Sequence, residues 1–322
     1  MQVIAVVDLV CCGAINWDIN LFMGRLPRTG EEVPIHEIQR VSGGTAANVS
    51  VAAARILGPG RVSFIGSLGG DDIAERQLAI LEEEGVDSSG VLRVMDDESG
   101  QAYITIGSDG ENEIHTYFGA NLRLTPQSLS DPERLNVVRN VKIAVIMDPP
   151  LEAAKRLAEL CKGFGKTVIW DPGVHAELGL EALTPTILNV DYFILNNLEF
   201  ENLLGTSDPM KVGAILGTIK RGIRAIVKHG EEGCTLCEEG ARATIHIGAV
   251  PIRRLGMEIV NTVGCGDAFI GAFAAAKVEG FDDIGALRRG CAAGSFKTTR
   301  KETRGGPTAR QLDELLARWD EM

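Results

Sequence analysis

The run Asn261-Thr262-Val263-Gly264-Cys265-Gly266-Asp267-Ala268-Phe269 holds the residue types that phosphate chemistry needs. Residues 268–276 are small and apolar and predict a helix, with an apolar strand candidate ahead of Asn261. Two glycines and an acid therefore fall where a loop turns into a helix. The first turn of a helix has backbone N–H groups without partners, and its dipole adds positive potential there. Glycines let that backbone close around a phosphate, and Asp267 adds a carboxylate at the same point. An anion hole beside a base is what transfer of a phosphoryl group to a hydroxyl requires. A plain glycine turn with an acidic cap would use the same residues, so the rest of the chain must decide.

The surrounding elements alternate. Residues 3–12, 61–67, 141–147, 166–170, 192–195 and 225–228 read as strands. Residues 42–57, 71–84, 151–162, 198–204 and 210–221 read as helices. That order predicts a mostly parallel sheet with helices on both faces. The N-terminal third breaks the rhythm. Residues 13–20, 32–41, 100–106 and 114–119 read as half-exposed strands, the last two joined by the turn-rich Ser108-Asp109-Gly110-Glu111-Asn112. The expected fold is a three-layer α/β/α body over 1–12, 41–91 and 120–322, with a small β-sheet lid from 13–40 and 92–119.

Composition sets outer bounds. The 322 residues are 45% hydrophobic, enough for a sizeable buried core. A net charge of −12 argues against nucleic acid as the partner. The seven cysteines are scattered. Cys234 and Cys237 are spaced CxxC with no second pair nearby, which fits buried small residues in a reducing compartment better than a metal site. No run reaches the length of a membrane span. The first ten residues include Asp8 and lack a basic region, so they read as a strand rather than a signal peptide. A soluble, cytoplasmic protein is expected.

Asn261 to Phe269 resembles the second signature of the ribokinase-like (PfkB) carbohydrate kinases, usually written DTxGAGDxF. Gly43-Gly44 with Asn48 resembles that family's first, glycine-rich signature, and the order matches over nearly the whole chain. The resemblance implies transfer of the γ-phosphate of ATP, with Mg²⁺, to a hydroxyl of a sugar, ribose or a related pentose first. It gives Asp267 the role of base, and the amides of Gly264, Cys265 and Gly266 the role of anion hole. An alcohol is a poor nucleophile, so a positioned carboxylate helps it attack. Asn196 and Glu199 match the ends of the family's NxxE motif, whose Glu organises Mg²⁺ largely through water. By themselves they would read as an ordinary helix start. Lys228, Gly230 and Gly233 resemble the TxGxxG loop along the nucleotide. Lys228 stands where Thr is frequent, and either reaches a phosphate or is solvated. His229 reads as structural.

On the acceptor side, Gly13 to Asp18 resembles the ribokinase form GSINxD. Asn16 and Asp18 point the same way on a strand and can hold neighbouring hydroxyls. Gly43, Gly44 and Asn48 add contacts, and Asp148 ends a strand where ligands bind. Gly119-Ala120-Asn121 also resembles ribokinases. Tyr117 and Phe118 read as lid core or as cover for a base or sugar. Asn261 replaces the family's Asp beside a loop that holds a monovalent cation in ribokinases, so a K⁺ requirement stays open. Cys265 replaces Ala and adds a thiol that could be modified. Thr45-Ala46 replace a Lys-Gly pair, which keeps a nucleoside such as inosine, cytidine or adenosine as the alternative acceptor. A sugar phosphate would need basic residues, with Arg25, Arg28 and Arg123 as the nearby candidates. Residues 300–304 read as a solvated charge run. A non-catalytic sugar-binding regulator on the same fold is the reading from another class, opposed by the intact 264–267 set. Lids of this family often pair, so a homodimer through the lid is expected.

Overall fold

The computed structural model describes residues 7–109, 111–240 and 243–322; expected strand residues 3–6 and the turn residue Gly110 lie outside these. Along the central strands, alternate residues feed opposite cores. Leu9 and Cys11 enter one apolar cluster, Val10 and Cys12 the other; Ile143, Val145 and Met147 separate from Ala144 and Ile146 in the same way. A strand covered on both faces must be apolar throughout, which is why these segments read as continuous runs.

The large sheet has nine strands in the order Ile245–Ile247, Cys234–Glu238, Arg224–Lys228, Tyr192–Asn196, Thr167–Asp171, Ile143–Met147, Leu9–Gly13, Val62–Ile65, Val86–Asp87. The first two run antiparallel to their neighbours and the rest are parallel. Helices Thr45–Leu57, Asp72–Glu83, Cys265–Val278 and Asp283–Lys297 cover one face. Helices Pro132–Asn140, Leu151–Gly163, Leu180–Ile187, Asn197–Leu204 and Pro209–Ile219 cover the other. This is the expected three-layer body.

A separate four-stranded sheet has the order Ile35–Gly43, Asn16–Met23, Gly100–Ile106, Asn112–Tyr117. Leu92–Val94 pairs elsewhere, with Ser67–Gly69. Among the described residues no helix is long and apolar enough to cross a membrane.

Two features position the site. The parallel strands end level: Gly13 pairs with Met147 and Met147 with Asp171, while Asn196 pairs with Lys228. Ligands of open α/β sheets bind outside that edge. Helix Cys265–Val278 starts over it and packs tightly on Thr45–Leu57. A Cβ built on Gly271 would come within 2.7 Å of the Ala52 Cβ. The apolar strand expected before Asn261 is not formed. Ile259 and Val260 are 44% and 51% exposed, and the amides of Val260 and Asn261 donate to the Thr298 carbonyl instead of to a sheet.

Candidate active site

Gly264 caps the helix Cys265–Val278 in the left-handed region, φ 85°. A Cβ there would also overlap the Thr303 carbonyl oxygen, so glycine is required twice over. The Cys265 amide donates to the Thr262 carbonyl at 3.2 Å. The amides of Gly264 and Gly266 have no partner among the described residues. Asp267 is half-buried, and its Oδ2 accepts from Asn48 Nδ2 at 2.8 Å. Asn48 Oδ1 accepts in turn from Arg304 Nε at 2.8 Å, and Arg304 Nη2 donates to the Gly43 carbonyl at 3.0 Å. Burial pushes the Asp267 carboxyl up to about 6, against the pull of Asn48 and the Lys228 ammonium.

Asp18 is buried beside Gly43, where any Cβ would overlap its carboxylate. Burial pushes Asp18 up to about 7, with Arg304 pulling it down and Asp267 adding to the rise. Asn16 Oδ1 accepts from Asn121 Nδ2 at 2.8 Å, and Asn121 also bonds both polar groups of the Ile15 backbone. Gly44 is the N-cap of Thr45–Leu57. Asp148 alone among described non-glycine residues has a positive φ, 53°. It accepts from Thr45 Oγ1 at 2.9 Å and from the Val174 amide at 3.1 Å. Burial, then the charge of Asp171, push it up to about 7.

On the other side of the turn Gly264–Gly266, Lys228 Nζ pairs with Asp171 Oδ2 at 2.7 Å. It is mostly buried, so of its two expected settings the solvated one is excluded. A Cβ on Gly266 would lie 3.7 Å from this ammonium, which therefore faces the hole. Burial would push Lys228 down, but Asp171, Glu199 and Asp267 together hold it above its usual value. A cavity of about 620 Å³ opens here, lined by Lys228, Gly230, Gly233, Cys265, Gly266 and Phe269 among others. Asn196 and Glu199 form a reciprocal capping box, 2.9 and 2.7 Å. Glu199 thus uses Oε2 on the Asn196 amide, which leaves Oε1 as a hard oxygen donor. Burial, with the charge of Asp171, raises its pKa. Among the described residues no cluster of three or more His, Cys, Asp or Glu forms a metal cage. Oxygen donors of this kind fit an Mg²⁺ ion that keeps most of its water. The Cys265 thiol is pushed up by burial to about 11, which disfavours its thiolate near neutral pH.

Three residues of this site escaped sequence reasoning. Asp171 ends a strand as Asp148 follows one, and the same strand-end rule would have found it. Arg304 lies in the run read as solvated; it is instead packed against Asn48 and Gly43, and its Nη1 is buried without a partner among the described residues. Lys297 is fully buried behind the hole. Of the expected basic candidates, Arg25 pairs with Glu31 and Arg123 with Asp97. Tyr117 and Phe118 are 45% and 37% exposed and so are not lid core.

The sequence matches the pfkB family carbohydrate kinases over residues 7–309. A ribokinase of Arabidopsis thaliana is 31% identical over 297 residues, 89% of this chain and 75% of that protein. An ATP-dependent ribose-1-phosphate kinase of Halopiger xanaduensis is 28% identical over 97% of this chain and 98% of its own. The structure of the Arabidopsis thaliana ribokinase complexed with ribose and ATP superposes with a TM-score of 0.85 at 28% identity, covering 97% of this chain and 99% of that one. The chain belongs to the pfkB family of carbohydrate kinases and is an enzyme of the sugar-kinase class.

Proposed function

We propose that this kinase moves the terminal phosphate of ATP to a hydroxyl of ribose or a related pentose. The observation that carries this reading is the 2.8 Å hydrogen bond between Asn48 and Asp267. It joins the base at the anion hole to the helix that begins at Gly43-Gly44, beside the buried carboxylate of Asp18. Asp267 takes the proton of the attacking hydroxyl. The unpartnered amides of Gly264 and Gly266, with Lys228, face the charge that develops on the phosphate and need no reorganisation. Asn16, Asp18 and Asp148 hold the remaining hydroxyls. Bound Mg²⁺ would neutralise phosphate charge, with Glu199 holding it through water. The segments 13–40 and 92–119 would close as a lid and exclude water.

The test is steady-state turnover of ATP with ribose, inosine, cytidine and ribose 1-phosphate. Saturable turnover on ribose with none on the nucleosides is the expected result, and the reverse sinks the ribose assignment. The nucleoside alternative rests on Thr45, which is engaged with Asp148 where ribokinases have a lysine.

Arg304 favours a second reading, an acceptor that already carries a phosphate. A buried guanidinium N–H without a partner among the described residues is a ready donor to an anionic oxygen, and the relative named for ribose 1-phosphate aligns over nearly its full length. A kcat/KM for ribose 1-phosphate above that for ribose, lost in Arg304→Met, would put this reading first.

A homodimer through the small sheet belongs to the same proposal. By strand register, the face opposite Asn16 and Asp18 presents Trp17, Ile19, Leu21, Ile38, Tyr103 and Tyr117, none of them buried. Light scattering should give the mass of two chains, and Tyr103→Lys should shift it to one.

A further inference from the structure

Lys297 is the last residue of helix Asp283–Lys297, and its side chain is fully buried. Its ammonium donates to the Asn261 carbonyl at 3.0 Å and to the Arg300 carbonyl at 3.4 Å. It forms no ion pair among the described residues. Burial drives its pKa down, with only partial opposition from Cys265, Glu302 and Asp267. A buried lysine without a carboxylate is costly, so the carbonyls around it must repay that cost. They come from two segments that the hole depends on. Asn261 begins the run that leads into Gly264, and Arg300 begins the turn whose Thr303 carbonyl packs against Gly264. Asn261 fastens the two segments a second time. Its Nδ2 donates to the Lys301 carbonyl at 2.7 Å and its Oδ1 accepts from the Val263 amide at 2.9 Å. A carboxylate could accept but could not donate.

The family resemblance places a monovalent cation beside Asn261. The residues present do not fit such an ion: beside Asn261, the carbonyls of Asn261 and Arg300 already converge on the Lys297 ammonium. We infer that Lys297 is a positioning residue, a tethered internal cation that fixes the turn Gly264–Gly266 from behind in place of an exchangeable K⁺. The inference rests on the kinase reading of the front of that turn. Carbonyl oxygens gathered at one point repel each other unless a cation lies among them. The ammonium supplies that cation permanently, and its charge adds to the potential of the hole.

The experiment compares the parent protein with Lys297→Ala and Lys297→Met, each assayed in a potassium-free buffer and after adding potassium, ammonium or methylammonium chloride. Thermal melts are recorded in the same buffers. The parent should show the same kcat and the same melting temperature with and without K⁺. Lys297→Ala should lose about tenfold or more in kcat, with a smaller change in acceptor KM, because the hole is misplaced rather than the acceptor pocket. Added K⁺ or ammonium should raise both its kcat and its melting temperature, saturably, whereas Lys297→Met, which fills the space without charge, should not respond. Activation or thermal stabilisation of the parent by K⁺ overturns the inference, even if neither variant folds. So does a folded Lys297→Ala with parental kcat, or one that loses activity without rescue by any cation. Absence of turnover by the parent on every acceptor would instead sink the kinase reading, and the melts would still decide the cation question.

Discussion

Two buried lysines flank the turn that opens helix Cys265–Val278, one before it and one behind it, and they are held in opposite ways. Lys228, in front, touches the Asp171 carboxylate with Glu199 and Asp267 close by, and its pKa is held up. Lys297, behind, hydrogen-bonds only to carbonyl oxygens among the described residues, and burial drives its pKa down. The front charge is already paired with Asp171, so under the proposed function a phosphate would have to compete with that carboxylate for it. The rear charge forms no ion pair among the described residues and is held by main-chain oxygens instead. The same residue type is thus ion-paired on one side of the turn and held by main-chain carbonyls on the other.

The largest effect should come from the carboxylate between the two. Asp267→Asn keeps the shape of the site but removes the base, and kcat should fall by about a hundred- to ten-thousandfold. Calorimetric binding of the acceptor should remain; retained turnover would remove Asp267 from its role. Next, Lys228→Met should lower kcat/KM for ATP by about a hundredfold. It should also move the acid limb of the pH profile. In the parent, activity should rise with pH as Asp267 ionises near 6. Lys228 favours the ionised form, so without it the midpoint must move to higher pH. An unmoved limb would mean that Lys228 does not face Asp267. A smaller change, about a fewfold, is expected from Asp171→Asn, which frees Lys228 from its anion. The KM for ATP should fall, and a rise would contradict the idea of competition. Smallest of all should be the coupling between the two lysines. In a double-mutant cycle on kcat, Lys228→Met and Lys297→Met should be additive within about 0.5 kcal/mol, since they share no hydrogen-bonded partner among the described residues and meet only through the field at Asp267.

How much of this was readable in the sequence follows from how local each feature is. Gly264, Gly266 and Asp267 are contiguous, and the chemistry of a helix start is carried by neighbours in the chain. The strand ends at Asp148, Asn196 and Lys228 were legible because apolar runs mark buried parallel strands and ligands gather where those runs stop. Lys297 and Arg304 were not. Arg304 reaches Asn48 across 256 positions of sequence, and the partners of Lys297 are main-chain oxygens that no residue type announces. A charge among charges reads as solvated, and only the folded loop shows otherwise. Ile259 and Val260 misled in the opposite sense: they are apolar but exposed, because the backbone there is engaged with Thr298.

The close contact at Gly271 has a consequence for which acceptors can react. The helices bearing Asn48 and Asp267 meet at Ala52 and Val49, where a single added methyl would not fit. Under the proposed function, the gap between Asp267 and the Gly43–Asn48 side is therefore set by the close packing of Gly271 on Ala52 and Val49. On that proposal, an acceptor would react only if its hydroxyl spanned that gap. Gly271→Ala would reset it by a fraction of an ångström, enough to change which hydroxyl is in line with the phosphate.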